Sequence, residues 1–248
     1  MSESTLILHR GAKIVSREQV AAVPLIESTD TYFPTPHIEV LETAERTLKT
    51  AGFEISKSQL ALSADGARFF GTLDLQSSIV EGVSLAIGVR NSIDKMFPIS
   101  LTAGSRVFVC DNLAFSSEIY VAKRHTKFGK LRFDEGIAKS MQSLGQFKQL
   151  EAKRIEHYQA CEMTDHQAES FLLRAYEAEI LTHFTLPTAI KEWRKPSHEE
   201  FAKRNAWCAF NAITESLKVR QSNPQKFAGL TMKLYGLLDS TVGFSTAI

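Results

Sequence analysis

The alternation of hydrophobic and polar residues predicts a run of β-strands between residues 53 and 122. Apolar residues alternate or cluster at 53–62, 69–75, 83–89, 97–101, 107–110 and 115–122, and turn-forming residues separate these blocks. Ala64-Asp65-Gly66 marks a tight hairpin turn between the first two. Because sequential strands with short connections pair antiparallel, we predict an antiparallel meander of five or six strands.

Helical periodicity flanks this run on both sides. A helix is predicted over 37–50, after a cap at Thr35-Pro36. Beyond the strands we predict one long amphipathic helix over 133–161, helices over 164–181 and 197–218, a short helical piece from Pro187 and a last helix from Asn223-Pro224. The predicted class is α+β, an antiparallel meander covered by helices, with a helical C-terminal part.

Length and composition are consistent with one compact unit. The chain has 248 residues, of which 44% are hydrophobic, enough for a sizeable core. We divide it into an N-terminal α+β part over 1–132, a helical part over 133–240 packed on it, and a tail over 241–248.

Charge is balanced in total but uneven along the chain. Residues 27–81 hold nine acids and four bases, a net of −5, whereas residues 191–233 hold nine bases and four acids, a net of +5. A further basic run lies between Lys123 and Arg132. These basic segments either form one positive surface that attracts phosphate or are solvated faces that pair with acids.

Nothing in the sequence predicts a membrane-bound or disulfide-linked protein. No run of eighteen apolar residues occurs, and the first residues are too polar for a signal peptide, so we expect a cytoplasmic protein without a membrane partner. Cys110, Cys161 and Cys208 are odd in number and widely spaced, which predicts free thiols.

The common motifs of phosphate, dinucleotide, zinc and serine-nucleophile sites are absent. His157 and Cys161 are four residues apart, but no second ligand pair accompanies them. We therefore predict no cofactor, metal ligand or catalytic residue, and an enzyme is the less favoured reading. The alternative is a metal-dependent nuclease that uses Asp94, Asp111 and Glu118, although their spacing is not the usual nuclease arrangement.

The densest basic motif is Arg124-His125-Thr126-Lys127, followed by Phe128-Gly129-Lys130. Fixed cations, an imidazole and a hydroxyl donor are suited to phosphate, and an aromatic ring among cations can stack on an exposed base. An exposed basic loop explains the same composition. Arg90-Asn91-Ser92-Ile93-Asp94-Lys95, between two strands, is likewise either a binding loop or a tight turn.

Several motifs together resemble the domain-of-unknown-function family 932, which includes phage/plasmid-like proteins. They are Phe70-Gly71, Arg90-Asn91-Ser92-x-Asp94-Lys95, Arg106-Val-Phe-Val-Cys110-Asp-Asn112, Arg124-His125-Thr126 and Trp207-x-x-Phe210-Asn211-Ala212-x-Thr214-Glu215. Ile93 stands where the family pattern has a histidine, which removes support for a metal role there. The resemblance implies a mobile-element context and raises the expectation of nucleic-acid binding. Trp207 and Phe210 lie on one helical stripe and are predicted as core residues.

We therefore expect a DNA-binding protein, with a preference for single strands, acting in replication or recombination of a mobile element. Its predicted nucleic-acid-binding residues are Arg90, Lys95, Arg106, Lys123, Arg124, His125, Lys127, Phe128 and Lys130. The alternative from another class is a protein-interaction or anti-defence factor that binds a host protein or forms a homo-oligomer.

Overall fold

The computed structural model describes residues 12–110, 112–218 and 224–245. Its centre is one six-stranded sheet in which every strand pairs antiparallel with its neighbours in the sequence. The strands are β1 (Lys13–Ile14), β2 (Ile55–Leu62), β3 (Arg68–Val80), β4 (Val83–Ser92), β5 (Ile99–Val107) and β6 (Leu113–Lys123). The predicted antiparallel meander is confirmed, with five strands in the predicted region and β1 added at its edge. The strand expected over 107–110 is wrong: Val107 ends β5, and residues 108–110 form a turn.

Helices precede and follow the sheet, which confirms the α+β class. They are α1 (Arg17–Ala21), α2 (His37–Thr50), α3 (Gly129–Gln142), α4 (Leu144–Ala160), α5 (Asp165–Glu177), α6 (Leu186–Arg194), α7 (Ala206–Leu217) and α8 (Pro224–Val242). None of the helices in the described part of the chain is long and apolar enough to cross a lipid bilayer.

Two predicted helices differ from the structure. The long helix over 133–161 is two helices, α3 and α4, which meet at Ser143 beside Gly145, a residue that disfavours helix continuation. The helix expected to start near residue 197 starts at Ala206. Arg204 has a φ of 54°, which interrupts the helical path, and Asn205 then caps α7 by accepting a hydrogen bond from the Cys208 N–H.

One face of the sheet is apolar and faces helices. Phe69, Val89, Leu101 and Val121 lie on this face and are buried. Helix α3 approaches closely because Gly136 has no side chain: a Cβ there would lie 2.9 Å from Val121 Cγ1. The opposite face carries several small or polar residues, with Thr72, Gly88, Ser100 and Thr102 in neighbouring positions.

Helix α8 covers the outer edge of the sheet. The β6 edge would otherwise present unpaired backbone groups, which invite association with other strands. The Thr231 hydroxyl accepts a hydrogen bond from the Phe115 N–H at 3.1 Å and lies 3.2 Å from the Phe115 carbonyl oxygen. One side chain of α8 therefore satisfies an otherwise open position of the edge.

A single hydrophobic core joins the sheet and the helical part. Trp207 and Phe210 are buried, as predicted; their rings stack at 5.4 Å, and the Phe210 ring lies 4.8 Å from that of Tyr235. The three cysteines are free thiols, also as predicted. Residues on both sides of position 132 contribute to this core, so the predicted division does not separate two cores.

A buried arginine ties together β6, α4 and α8. The guanidinium of Arg154 lies 2.6 Å from Glu118 of β6, 2.7 Å from Glu151 of α4 and 3.3 Å from Asp239 of α8. Burial raises the pKa of Glu151, which also accepts a hydrogen bond from the Tyr235 hydroxyl. Although burial acts to raise the pKa of Glu118, hydrogen bonds from Ser116 and Arg154 lower it below its usual value.

Removing this arginine should leave buried carboxylates without their cation. We expect Arg154→Met to lower the free energy of unfolding by about 3–5 kcal/mol, measured by urea titration. Arg17→Met is the control, because Arg17 makes an exposed pair with Glu45 and its loss should cost less than about 1 kcal/mol. Equal costs for the two variants would contradict a central role for the buried cluster.

A second buried polar contact fixes the start of α2 on the sheet. His37 Nδ1 accepts a hydrogen bond from Asn91 Nδ2 at 2.9 Å, and His37 Nε2 lies 3.0 Å from the Gly66 carbonyl oxygen, which assigns the proton to Nε2. Burial lowers the pKa of His37 to about 4. The neutral ring is therefore part of the folded state.

This pKa shift predicts a loss of stability in acid. Between pH 6.5 and about 4 the unfolded chain binds a proton at His37 and the folded chain does not. The free energy of unfolding should fall by about 1.4 kcal/mol per pH unit across this window, about 3 kcal/mol in total. The measurement is urea unfolding as a function of pH, and His37→Gln should have a shallower slope. An unchanged slope would assign the pH dependence to other groups.

Candidate nucleic-acid interface

Two connections meet at one end of the sheet. Ile99, which opens β5, pairs with Lys123, the last residue of β6, so the β4–β5 connection lies beside the turn that follows β6. Tyr32 packs between them: its ring is 5.3 Å from that of His125, and Lys95 Nζ lies 5.0 Å from its centroid. The tertiary structure thus brings Lys95 close to the basic motif after β6.

The turn after β6 is tight and exposes its cations. The Thr126 N–H donates to the Arg124 carbonyl at 2.9 Å, and the Gly129 N–H donates to the Thr126 carbonyl at 2.8 Å. A Cβ at Gly129 would lie 2.1 Å from the Arg124 carbonyl oxygen, so the turn requires glycine there. Arg124 and Lys127 are exposed, and Phe128 is 55% exposed with Lys127 Nζ 5.9 Å from its ring centroid.

The nearby acids are already paired. Arg68 binds Asp94 at 2.6 Å, and Lys130 binds Asp134 at 2.6 Å. Within the described residues, Lys95, Lys123, Arg124 and Lys127 form no ion pair. These four cations and Phe128 are called the turn patch below.

Two of the predicted binding residues are buried in the structure. Arg106 is only 2% exposed, and its Nε donates to Asp74 Oδ1 at 2.7 Å on the polar face of the sheet. His125 is only 5% exposed, and burial lowers its pKa, which opposes a charged imidazole. Neither side chain is placed to contact the phosphate of an external strand. Lys130 is partly exposed but is held by Asp134 and Thr43.

Arg90 lies apart from the turn patch, on the polar face of the sheet. Its Nε donates to Ser100 Oγ at 2.6 Å, its Nη2 donates to the Tyr120 hydroxyl at 3.3 Å, and its Cζ lies 5.2 Å from the centroid of the Phe97 ring. Burial lowers the pKa of the guanidinium, which nonetheless stays charged. A pocket of about 160 Å³ adjoins it.

Three cations of the basic segment over residues 191–233 form ion pairs with nearby acids. Arg194 pairs with Glu169, Arg204 with Asp165 and Lys218 with Glu215. For these three residues the alternative interpretation, neutralisation by nearby acids, describes the structure.

The residues of the nuclease hypothesis have other partners. Asp94 is bound by Arg68, and its Oδ1 also accepts a hydrogen bond from the Met96 N–H; Glu118 is bound by Arg154. Asp111 lies outside the described residues. Among the residues that the structure describes, no group of three His, Cys, Asp or Glu side chains is placed to hold a metal ion.

Sequence reasoning missed the partners of Arg90. Ser100 and Tyr120 lie 10 and 30 residues from Arg90 in the chain and meet it through the β4–β5–β6 register. Gly88 gave a usable signal, because a glycine inside a strand indicates close approach by another group. A Cβ there would lie 2.7 Å from the ring of Phe115, which forms one wall of the pocket.

Comparison with known proteins places the chain in a family without assigning its activity. The model of the domain of unknown function DUF932 matches residues 25–232. Neither the curated proteins nor the solved structures include a match to this chain. The family match spans strands β2 to β6 and most of the helical part, and the protein therefore belongs to the DUF932 family.

Proposed function

We propose that the protein binds nucleic acid, preferably single-stranded DNA, through the turn patch. The observation that carries this proposal is a group of exposed or partly exposed cations at one end of the sheet, around an exposed aromatic ring. None of these cations has an ion-pair partner among the described residues. Phosphate contacts by lysine and arginine supply sequence-independent affinity. In this proposal the protein works in the cytoplasm on the DNA of a phage or plasmid.

The exposed ring of Phe128 favours a single strand over a duplex. Bases in a single strand are free to stack on an aromatic side chain, whereas duplex bases are already stacked. Phe128 lies between Lys127 and the first turn of α3, so a base stacked on it would keep the adjoining phosphates near Lys127 and Arg124. The tight turn held by Gly129 fixes this arrangement before binding, which reduces the entropy lost on association.

Charge removal at the turn patch should weaken binding and reduce its salt dependence. The slope of log K against log salt is negative, and each single-strand phosphate contact contributes about −0.7 to it. We expect the triple variant Lys95→Gln, Arg124→Gln, Lys127→Gln to make this slope shallower by about 2. The measurement is fluorescence anisotropy of a labelled oligothymidylate across a salt series.

The matched control removes the same charge elsewhere. Lys153, Lys191 and Lys203 are exposed on or near other helices, and their joint replacement by glutamine should leave the slope nearly unchanged. If the wild-type protein does not bind the oligothymidylate at low salt, the proposed function is wrong. If it binds and both triple variants behave alike, the turn patch is not the site.

Phe128 provides a test that does not depend on charge. Phe128→Ala should weaken binding by about 1–3 kcal/mol, the usual contribution of base stacking, and should leave the salt slope unchanged. Leu131→Ala is the control, because Leu131 is a similarly exposed apolar residue in the first turn of α3. An equal loss for both variants would indicate general apolar contact in place of stacking.

A further inference from the structure

A small pocket lies where the polar face of the sheet meets α8. Arg90, Ser100 and Thr102 of the sheet line it on one side, and Gly229 and Met232 of α8 line it on the other. The rings of Phe70, Phe115 and Tyr120 complete its walls. Its volume is about 160 Å³, and none of these residues belongs to the turn patch.

The charge of Arg90 is not balanced within the described protein. Its two hydrogen-bond partners, Ser100 and Tyr120, are neutral hydroxyls. The two buried arginines of the described chain each have a carboxylate: Arg106 binds Asp74, and Arg154 binds Glu151. A largely buried cation without a counter-charge is costly, and an anion bound from solution would remove that cost.

The unused groups in the pocket are hydrogen-bond donors. A guanidinium has five N–H donors, and Arg90 uses one on Ser100 and one on Tyr120, which leaves three. Because the Ser100 and Tyr120 oxygens accept from Arg90, their own hydroxyl hydrogens are available as donors. This donor set can bind an anion with several acceptor oxygens, such as phosphate, through more than one charge-assisted hydrogen bond.

Gly229 of α8 lines the pocket and has open space around its Cβ position. A Cβ at this position would meet no atom within 4 Å, so the protein's own packing does not require glycine here. Glycine in a helix interior costs about 1 kcal/mol relative to alanine. A larger side chain introduced at this position would therefore occupy space beside the pocket without a clash at its Cβ.

We propose that this pocket binds a phosphate group, either free or at the end of a nucleotide or oligonucleotide. Arg90 neutralises the charge, the hydroxyls of Ser100 and Tyr120 donate to phosphate oxygens, and the aromatic walls contact whatever the phosphate is attached to. The site is separate from the turn patch and does not depend on the proposed DNA binding.

The first test titrates the protein with inorganic phosphate, against chloride at equal ionic strength, and follows amide chemical shifts by NMR. The amide signals of Gly88 and Gly229 should shift and that of Gly236 should not.

Arg90→Gln should weaken phosphate binding at least about tenfold, as expected for losing a charge-assisted contact. Lys153→Gln, which removes an exposed charge on α4 outside both proposed sites, is the control and should bind phosphate like the wild type. No shift, or equal binding by Arg90→Gln, overturns the proposal.

A second pair of variants tests the pocket without removing a charge. Gly229→Leu and Gly236→Leu both replace a glycine of α8 whose Cβ position is open, so both should fold at least as stably as the wild type. Only Gly229 lines the pocket. Gly229→Leu should abolish the phosphate-dependent shifts and Gly236→Leu should retain them. Equal phosphate binding by the two folded variants would contradict the site.

The source of the phosphate is distinguished by comparing oligothymidylates with a 5′-phosphate and a 5′-hydroxyl. A preference for the phosphorylated strand that is lost in Arg90→Gln identifies a strand end as the ligand. Binding of inorganic phosphate without such a preference identifies a free phosphate or a mononucleotide. The turn-patch variants should retain the phosphate-dependent shifts of Gly88 and Gly229, so failure of one proposal is distinguishable from failure of the other.

Discussion

The rest of the structure depends on the buried ion pairs of Arg154, which join β6, α4 and α8. Its guanidinium lies between carboxylates of β6, α4 and α8, so it holds the outer sheet strand to two helices at once. Charges at this depth are tolerated only when they are paired, which makes the three contacts mutually dependent. Because α8 also covers the backbone edge of β6 through Thr231, the position of this helix sets both the end of the sheet and one wall of the Arg90 pocket.

The meander places the two candidate sites. Strands that follow one another as neighbours put alternate connections at the same end of the sheet, so the β4–β5 connection lies beside the turn after β6. Lys95 joins Arg124 and Lys127 for this reason. The same register places Arg90 opposite Ser100 and lets it reach Tyr120 two strands away, which assembles the pocket. The same strand order therefore forms both the exposed turn patch and the largely buried Arg90 pocket.

The fate of the predicted binding residues shows what a basic motif can and cannot indicate. Composition identified Lys95, Lys123, Arg124, Lys127 and Phe128, which the structure leaves accessible at least in part. It also selected Arg106 and His125, which are buried. The sequence alone does not distinguish a strand cation that faces solvent from one that pairs with a carboxylate on another strand. Arg106 is of the second kind, because it binds Asp74, which lies 32 residues away in the chain.

The sequence by itself determined the strand order, the α+β class, the free thiols and the burial of Trp207 and Phe210, because local periodicity and short connections suffice for these features. The tertiary structure decided where one long helical pattern breaks at Ser143, which cations find carboxylates and which remain unpaired. Ion pairing depends on distances across strands and between helices. Those distances follow from packing of the whole chain, and no short stretch of sequence contains them.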